Sequence, residues 1–329
     1  MPDPHPLAEL WRGDLRESVH VGHAVICGPD GEVLDAWGDP EAVIYPRSSC
    51  KMIQALPLVE SGAADAFGLS EAQLALACAS HEGAALHADA VGAWLGDLGL
   101  GEDDLLCGPE PPRDKALKFS LIREHAAPGQ VHNNCSGKHA GFLTLAKHLG
   151  AGPDYVAPDH PVQQRVRAAF EDLTGVPSPG YGFDGCSAPN FATTMHGLAR
   201  AMARFATADE TDARDRAMRR LTCAMIDHPL LVAGEGRACT ELMEATGTVA
   251  IKTGAEGVFV AILPDKGIGL AVKAADGARR AAECAVAALL IRLGVLDPDH
   301  AATRKRWNAP VRNRRAAEVG MLRPAPGFG

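Results

Sequence analysis

The sequence predicts a mixed α/β (α+β) fold in which N- and C-terminal strands share one antiparallel sheet and hold a large helical region between them. Three observations lead there. Residues 19–27, "VHVGHAVIC", and 33–37, "VLDAW", flank the turn signal "GPDGE" and read as a β-hairpin. From about 48 to 240 the text is mostly helical in period. Strand-like runs return only near the end, in "TVAIKTG", "GVFVAILP" and "GIGLAVKA". The strands at about 15–40 and 247–275 are therefore expected in one sheet, and residues 1–329 in a single domain.

Within the helical region, "SEAQLALACAS", "HADAVGAWLGDLG", "KHAGFLTLAKHLG", "HPVQQRVRAAFEDLTG", "FATTMHGLARAMARFA" and "DARDRAMRRLTCAMI" each repeat apolar residues at helical spacing. Several end on glycine, which suits a helix C-terminus. A long alanine-rich helix is expected from about Gly277 to Leu293. The last stretch, about 304–329, carries basic residues and prolines and reads as a loosely ordered surface tail.

Hydrophobic residues make up 47% and charged residues 22%, a balance that supports an ordinary globular core. A net charge of −9 without a long basic run argues against nucleic acid and against an anionic membrane surface as partners. No run of about eighteen apolar residues is present, so no bilayer span is expected. The opening "MPDPHPLAELWRGDLRES" has neither a basic start nor an apolar stretch of signal length, and the nine cysteines are irregularly spaced. Reduced thiols in the cytoplasm are the expectation.

The first stretch with chemistry in it is "PRSSCKMIQALPLVESG", which places Ser48 and Lys51 about one helical turn apart. A serine hydroxyl is a poor nucleophile without a base, and a lysine desolvated by the apolar run that follows can be that base. An N-cap serine with a snorkelling lysine would give the same four letters. Further on, "VAIKTGAEG" sets Lys252, Thr253 and Gly254 at the end of a strand. Ser-x-x-Lys followed by Lys-Thr-Gly is the order found in serine β-lactamases and penicillin-binding proteins. Their middle landmark, Ser-Asp-Asn, is absent; Ser80 in "CASHEG" and Asn133 or Ser136 in "HNNCSGKHAG" are the candidates in its place.

The stretch "HNNCSGKHAGF" enters a helix whose cap would be Asn134 or Ser136, and its Gly137 and Gly141 would let another segment approach closely. With "FDGCSAPNFA" it brings Cys135, Cys186 and nitrogen donors into consideration as a soft metal site, zinc being the ion such donors suit. Two buried free thiols are the other reading of the same spacing.

Taken in order, "RSSCKMIQALPLVESGAAD", "ASHEG", "HNNCSGKHAGFL", "DGCSAPNFA" and "KTGAEGVF" resemble the Rhizobium etli-type L-asparaginases of the asparaginase II family, over about residues 10–295. The resemblance implies a serine β-lactamase-like fold, hydrolysis of L-asparagine to L-aspartate and ammonia, and a homodimer. It implies two Ser-Lys pairs, Ser48 with Lys51 and Ser80 with Lys252, and a zinc ion held by Cys135, Lys138 and Cys186. Arg47, Asp184, Asn133 and His139 would then meet the substrate. Such a set suits an amino-acid amide: Arg47 for the α-carboxylate, Asp184 for the α-ammonium, and a serine for the side-chain amide. A glutaminase-like amidohydrolase is the nearest alternative, because one methylene shifts selectivity by only about 1–3 kcal/mol. A non-catalytic protein that binds zinc or an amino acid is the alternative of a different class.

Overall fold

The computed structural model describes residues 3–329. Its strands are β1 (His5–Arg12), β2 (Leu15–Cys27), β3 (Val33–Trp37), β4 (Val43–Ile44), β5 (Tyr181–Phe183), β6 (Pro189–Phe191), β7 (Thr193–Thr194), β8 (Ala250–Gly254), β9 (Val258–Leu263), β10 (Ile268–Ala274), β11 (Ala309–Arg312) and β12 (Glu318–Pro324). The helices through the middle of the chain are α1 (Lys51–Glu60), α2 (Ala63–Ala66), α3 (Glu71–Ala77), α4 (Ala85–Asp97), α5 (Lys115–Arg123), α6 (Ser136–His148) and α7 (Pro161–Thr174). They are followed by α8 (Met195–Ala206), α9 (Ala213–Asp227), α10 (Pro229–Val232), α11 (Ala238–Thr246), α12 (Arg279–Arg292) and α13 (Ala301–Arg304).

These elements fall into two compact units. The first contains the chain up to Ser49, Thr193–Thr207 and Glu241–Gly329. Its sheet runs β11-β12-β1-β2-β10-β9-β8, with β3 also paired to β2. The join that closes the first segment onto the last is β2 against β10, antiparallel from Gly22↔Ala274 to Cys27↔Gly269. The sheet is covered by α8 on β2, β9 and β10, and by α12 on β1, β9, β10 and β12. All six residues of β9, "VFVAIL", are buried, which is why that strand reads as a continuous apolar run rather than an alternating one. At Gly269 an added Cβ would stand 2.1 Å from the Ala203 nitrogen, so glycine lets the backbone of α8 lie directly on β10.

Two parts of this sheet depart from the sequence-based expectation. The stretch from about 304 to 329 is not a loose tail: β11 and β12 extend the sheet, with β12 paired to β1 from Ala8↔Pro324 to Arg12↔Gly320. Phe328 is buried and packs edge-on against Trp37, with ring centroids 5.2 Å apart. Of the residues in β12 only Leu322 is buried, so the strand is held by its backbone ladder and leaves little apolar pattern to read. Strand β1 is likewise absent from the expectation and supplies the partner that β12 needs.

The second unit contains Cys50–Ala192 and Ala208–Thr240. Helix α1 is buried from Lys51 to Val59 and packs against α6, α7 and α9. Helix α6 is buried from Ser136 to Ala146, apolar and polar positions alike. A helix enclosed all round shows no amphipathic stripe. It comes this close to its neighbours through its glycines, as the sequence suggested. A Cβ at Gly137 would stand 2.4 Å from the Leu76 carbonyl of α3, and one at Gly141 3.3 Å from Leu58 of α1. Arg214 on α9 reaches Glu60 at 2.7 Å and Asp172 at 2.6 Å, and Arg220 reaches Glu71 at 2.8 Å and Asp65 at 2.6 Å, orienting α9 over α1, α7 and α3. Helix α5, which the sequence did not announce, has no buried residue.

Candidate active site

In the first unit the candidate nucleophile lies on a strained turn. Ser48 is not in α1: it belongs to a 3₁₀ turn, Arg47–Cys50, and α1 begins only at Lys51. Arg47 enters the turn with φ +54°, the left-handed region that costs a side-chain-bearing residue about 1–2 kcal/mol. Ser48 is half-exposed, whereas Ser49 is fully buried and folds back on the turn. The Ser49 N–H and hydroxyl both donate to the Pro46 carbonyl, at 3.2 and 2.7 Å. Strand β8 ends the sheet, so Lys-Thr-Gly is on an edge strand. A Cβ at Gly254 would fall 2.5 Å from the Pro46 carbonyl oxygen and 3.2 Å from the Ser49 nitrogen, which places that strand end directly against the Ser48 turn. Lys252 is buried and donates to the Thr253 carbonyl at 3.1 Å.

In the second unit, Lys51 gathers the other motifs. Its Nζ donates to the Ala79 carbonyl, to the Asn134 carbonyl at 3.5 Å and to the Cys135 thiol at 3.1 Å. One buried lysine thus joins the residue before Ser80 to the "HNNCSGK" loop. Ser80 itself is buried, its N–H on the Val232 carbonyl at 2.9 Å. His81 is a strut for both loops. Its N–H donates to the Asn134 carbonyl, and its Nδ1 accepts from Gly83 N–H at 3.1 Å. That leaves Nε2–H to donate to Ser136 Oγ at 3.0 Å. With both nitrogens engaged and no exposure, the ring is not free for proton transfer.

The loop's capping differs from expectation: neither Asn134 nor Ser136 caps α6, whose N-cap is Cys135 without a side-chain bond. Asn133 ties the same loop together. Its Nδ2 donates to the Cys107 and Gly108 carbonyls, both at 3.0 Å, and its Oδ1 accepts the Cys135 N–H at 2.8 Å. The amide holds Cys135 against the Cys107–Gly108 backbone. Asn134 is tied by N–H and Nδ2 to Glu110, at 3.1 and 2.6 Å.

His139 is also fully buried. Tyr155 OH accepts from Leu106 N–H at 2.7 Å, so its own proton goes to His139 Nδ1 at 2.9 Å, and Nε2–H finds no partner among the described residues. Burial, reinforced by the Lys138 charge, holds the imidazole well below its ordinary range, so the ring is neutral. Asp184, half-exposed at the β5–β6 turn, accepts Gly185 N–H at 2.7 Å.

That turn delivers Cys186, whose sulfur accepts from the Lys138 ammonium at 3.0 Å. Cys186 is held well below the usual thiol range, first by a hydrogen bond from Cys135 and, against burial, by the Lys138 charge. Cys135 is pushed up by the same shared proton and by burial. Burial alone would lower Lys138, but Cys186 and Cys135 outweigh it and raise it. The cluster is thus a thiolate, a thiol and an ammonium, all buried. Among the described residues no three His, Cys, Asp or Glu side chains form a metal cluster. Two sulfurs and one amine nonetheless form a donor set that fits a zinc ion once Cys135 and Lys138 have lost their protons.

Sequence reasoning named Ser48, Lys51, Ser80, Lys252 and the Cys135–Lys138–Cys186 set as candidates. It missed Ser49, Glu110 and Tyr155, whose partners are backbone groups or remote loops that leave no local signal.

Fold and site together define a mixed α/β protein with an antiparallel sheet and serine–lysine motifs of the hydrolase kind. The chain belongs to the L-asparaginase II family, which it matches over residues 8–324. The family is one of L-asparaginases, which are amidohydrolases. Among solved structures, Mglu in its tris and glutamate form is similar with a TM-score of 0.50 at 15% identity, over 91% of this chain and 64% of that one. Native Mglu aligns with a TM-score of 0.48 at 17% identity, over 85% and 66%. A β-lactamase of Mycobacterium bovis aligns with a TM-score of 0.44 at 15% identity, over 84% and 95%. The chain spans about two thirds of the Mglu chains, and at such identity the likeness concerns the fold alone. No curated protein sequence matches the chain significantly. Among the described residues no helix is long and apolar enough to cross a membrane.

Proposed function

We propose that the protein hydrolyses L-asparagine to L-aspartate and ammonia with Ser48 as nucleophile and lysine as its base. The observation that carries this reading is the strained turn at Arg47, which keeps Ser48 half-exposed beside the Lys-Thr-Gly strand end. Strain of this kind persists where the surrounding structure enforces it, and it concentrates at functional sites.

In the proposed reaction Arg47 holds the α-carboxylate and Asp184 the α-ammonium of the substrate. Lys51, as the neutral amine, takes the Ser48 proton while the oxygen attacks the side-chain amide carbon. The C–N bond then breaks, the lysine returns the proton to departing ammonia, and an acyl-enzyme remains. Water, deprotonated in the same way, releases aspartate. Ser80 and Lys252 form the second pair and pass protons to and from the first. Of the residues expected at the substrate, His139 is buried too deeply to be assigned a contact. Cys135, Lys138 and Cys186 would hold zinc, which when bound would supply a Lewis acid whose charge the two thiolates balance. The cytoplasm and a homodimer complete the proposal.

Ammonia release from L-asparagine, L-glutamine and D-asparagine, with and without a chelator, tests it. Turnover is expected for L-asparagine first, and Ser48→Ala is expected to abolish it without loss of fold. Near-normal turnover by a folded Ser48→Ala protein would remove Ser48 from its role. Preference for glutamine would replace the substrate.

A further inference from the structure

Ser49 is as deeply buried as any residue in the protein, yet it is a serine directly after the candidate nucleophile. Its side chain is turned away from solvent and spends its hydrogen bond on the Pro46 carbonyl at 2.7 Å, the same oxygen that its own N–H reaches at 3.2 Å. A single backbone N–H from the fourth residue closes an ordinary turn. Here the first residue inside the turn is Arg47 at φ +54°, a position that turn geometry reserves for glycine or asparagine. The second bond therefore falls across the one strained residue. On its other side the Pro46 oxygen is backed by Gly254, where the smallest side chain would intrude to 2.5 Å.

We propose that Ser49 is a positioning residue: its hydroxyl clamps the Pro46 carbonyl against the Gly254 strand end and so holds the left-handed turn that aims Ser48 at the substrate. The inference rests on Ser48 as nucleophile. Ser49 touches no reacting atom and acts only through the turn. Its removal relaxes Arg47 toward an ordinary backbone conformation and swings the Ser48 oxygen off its line of attack. A misplacement on the order of 1 Å can cost about 100-fold in rate. The same account explains the glycine of Lys-Thr-Gly as the residue that lets the clamp close.

The test compares Ser49→Ala, Ser49→Thr and Gly254→Ala with Ser48→Ala and the unaltered protein, each checked for melting temperature and helix content. Ser49→Ala is expected to lower kcat by about 10- to 100-fold and to raise KM by a smaller factor, because the turn that aims Ser48 also carries Arg47. Labelling of Ser48 by an alkyl fluorophosphonate should slow in step. Ser49→Thr keeps the hydroxyl and should restore most of the rate. Gly254→Ala should lower kcat like Ser49→Ala by pushing the Pro46 carbonyl from the other side, and it carries the test if threonine does not fit. Folded Ser49→Ala and Gly254→Ala proteins with kcat and labelling rates within about twofold of normal would overturn the proposal. A rate loss that merely tracks melting temperature, without rescue by threonine, would overturn it too. If Ser48→Ala itself stays active, the nucleophile reading has failed, and that result is separate from either outcome for Ser49.

Discussion

Lys51 and Asn133 show how residues with the same local look take unlike parts. Lys51 is legible because a lysine in an apolar run is anomalous by itself. Asn133 sits in an equally unusual stretch and was expected at the substrate, yet its three amide hydrogen bonds run to Cys107, Gly108 and Cys135, and the partners across the loop are not visible in any spacing. That difference can be measured. Asn133→Ala strands two carbonyls and one buried N–H, so a loss of about 2–4 kcal/mol is expected by denaturant unfolding. Cys135 should at the same time become titratable by a thiol reagent in the native state. Unchanged stability with Cys135 still protected would show that the loop does not depend on the amide. The metal reading is tested at the same scale. Protein purified in the presence of zinc should hold the ion, and Cys135→Ala and Cys186→Ala should lose it, with KM raised more than kcat is lowered. Metal content that is absent in the parent or unchanged in both variants would remove the site.

Among the elements, those with an exposed and a buried side were readable and those enclosed on all sides were readable only as apolar text. The hairpin of β2 and β3 was expected at 33–37 and stands at Val33–Trp37, because its turn residues are explicit. Helix α7 ends at Gly175 in the left-handed conformation, as its final glycine indicated. Strand β12 and helix α5 bury almost nothing, so no pattern marked them. Two glycines of similar sequence context separate packing from propensity. In α6, Gly137 lies against the Leu76 carbonyl, and Gly137→Ala should destabilise by about 1–3 kcal/mol through overpacking. In α4, Gly92 has open space where a Cβ would go, and Gly92→Ala should stabilise by about 0.5–1 kcal/mol through helix propensity and unfolded-state entropy. Equal effects at the two positions would contradict the close approach of α6 to α3.

At the scale of the whole molecule the net charge of −9 draws attention to acid, and four carboxyl groups set what acid should do. Glu9, Glu171, Glu241 and Asp276 all lie below their ordinary range: burial opposes this in each, and hydrogen bonds and ion pairs prevail. For Glu241 the opposing partners are Lys305 and the buried Arg306, the latter at 2.6 Å. For Glu9 they are Trp11 at 2.8 Å and Arg16 at 2.9 Å. A carboxyl that is more acidic in the folded than in the unfolded chain stabilises the fold above its unfolded value, near 4, and that stabilisation drains away as pH falls through the lower folded value. Melting temperature should therefore fall as pH drops below about 4.5, with both units contributing, since Glu171 belongs to the helical one and the other three to the sheet. Glu241→Gln isolates one part. It leaves the buried Arg306 with the Ala302 carbonyl, at 2.8 Å, and the more distant Glu283 carboxylate, at 3.6 Å, so a loss of about 2–4 kcal/mol is expected at pH 7. Because the variant has no carboxyl left to protonate there, its deficit should shrink as pH falls below about 4 and the parent loses the same pair. Melting curves of both proteins from pH 7 down to pH 3 decide it. A deficit that stays constant across that range would mean that Glu241 acts through packing and not through its charge.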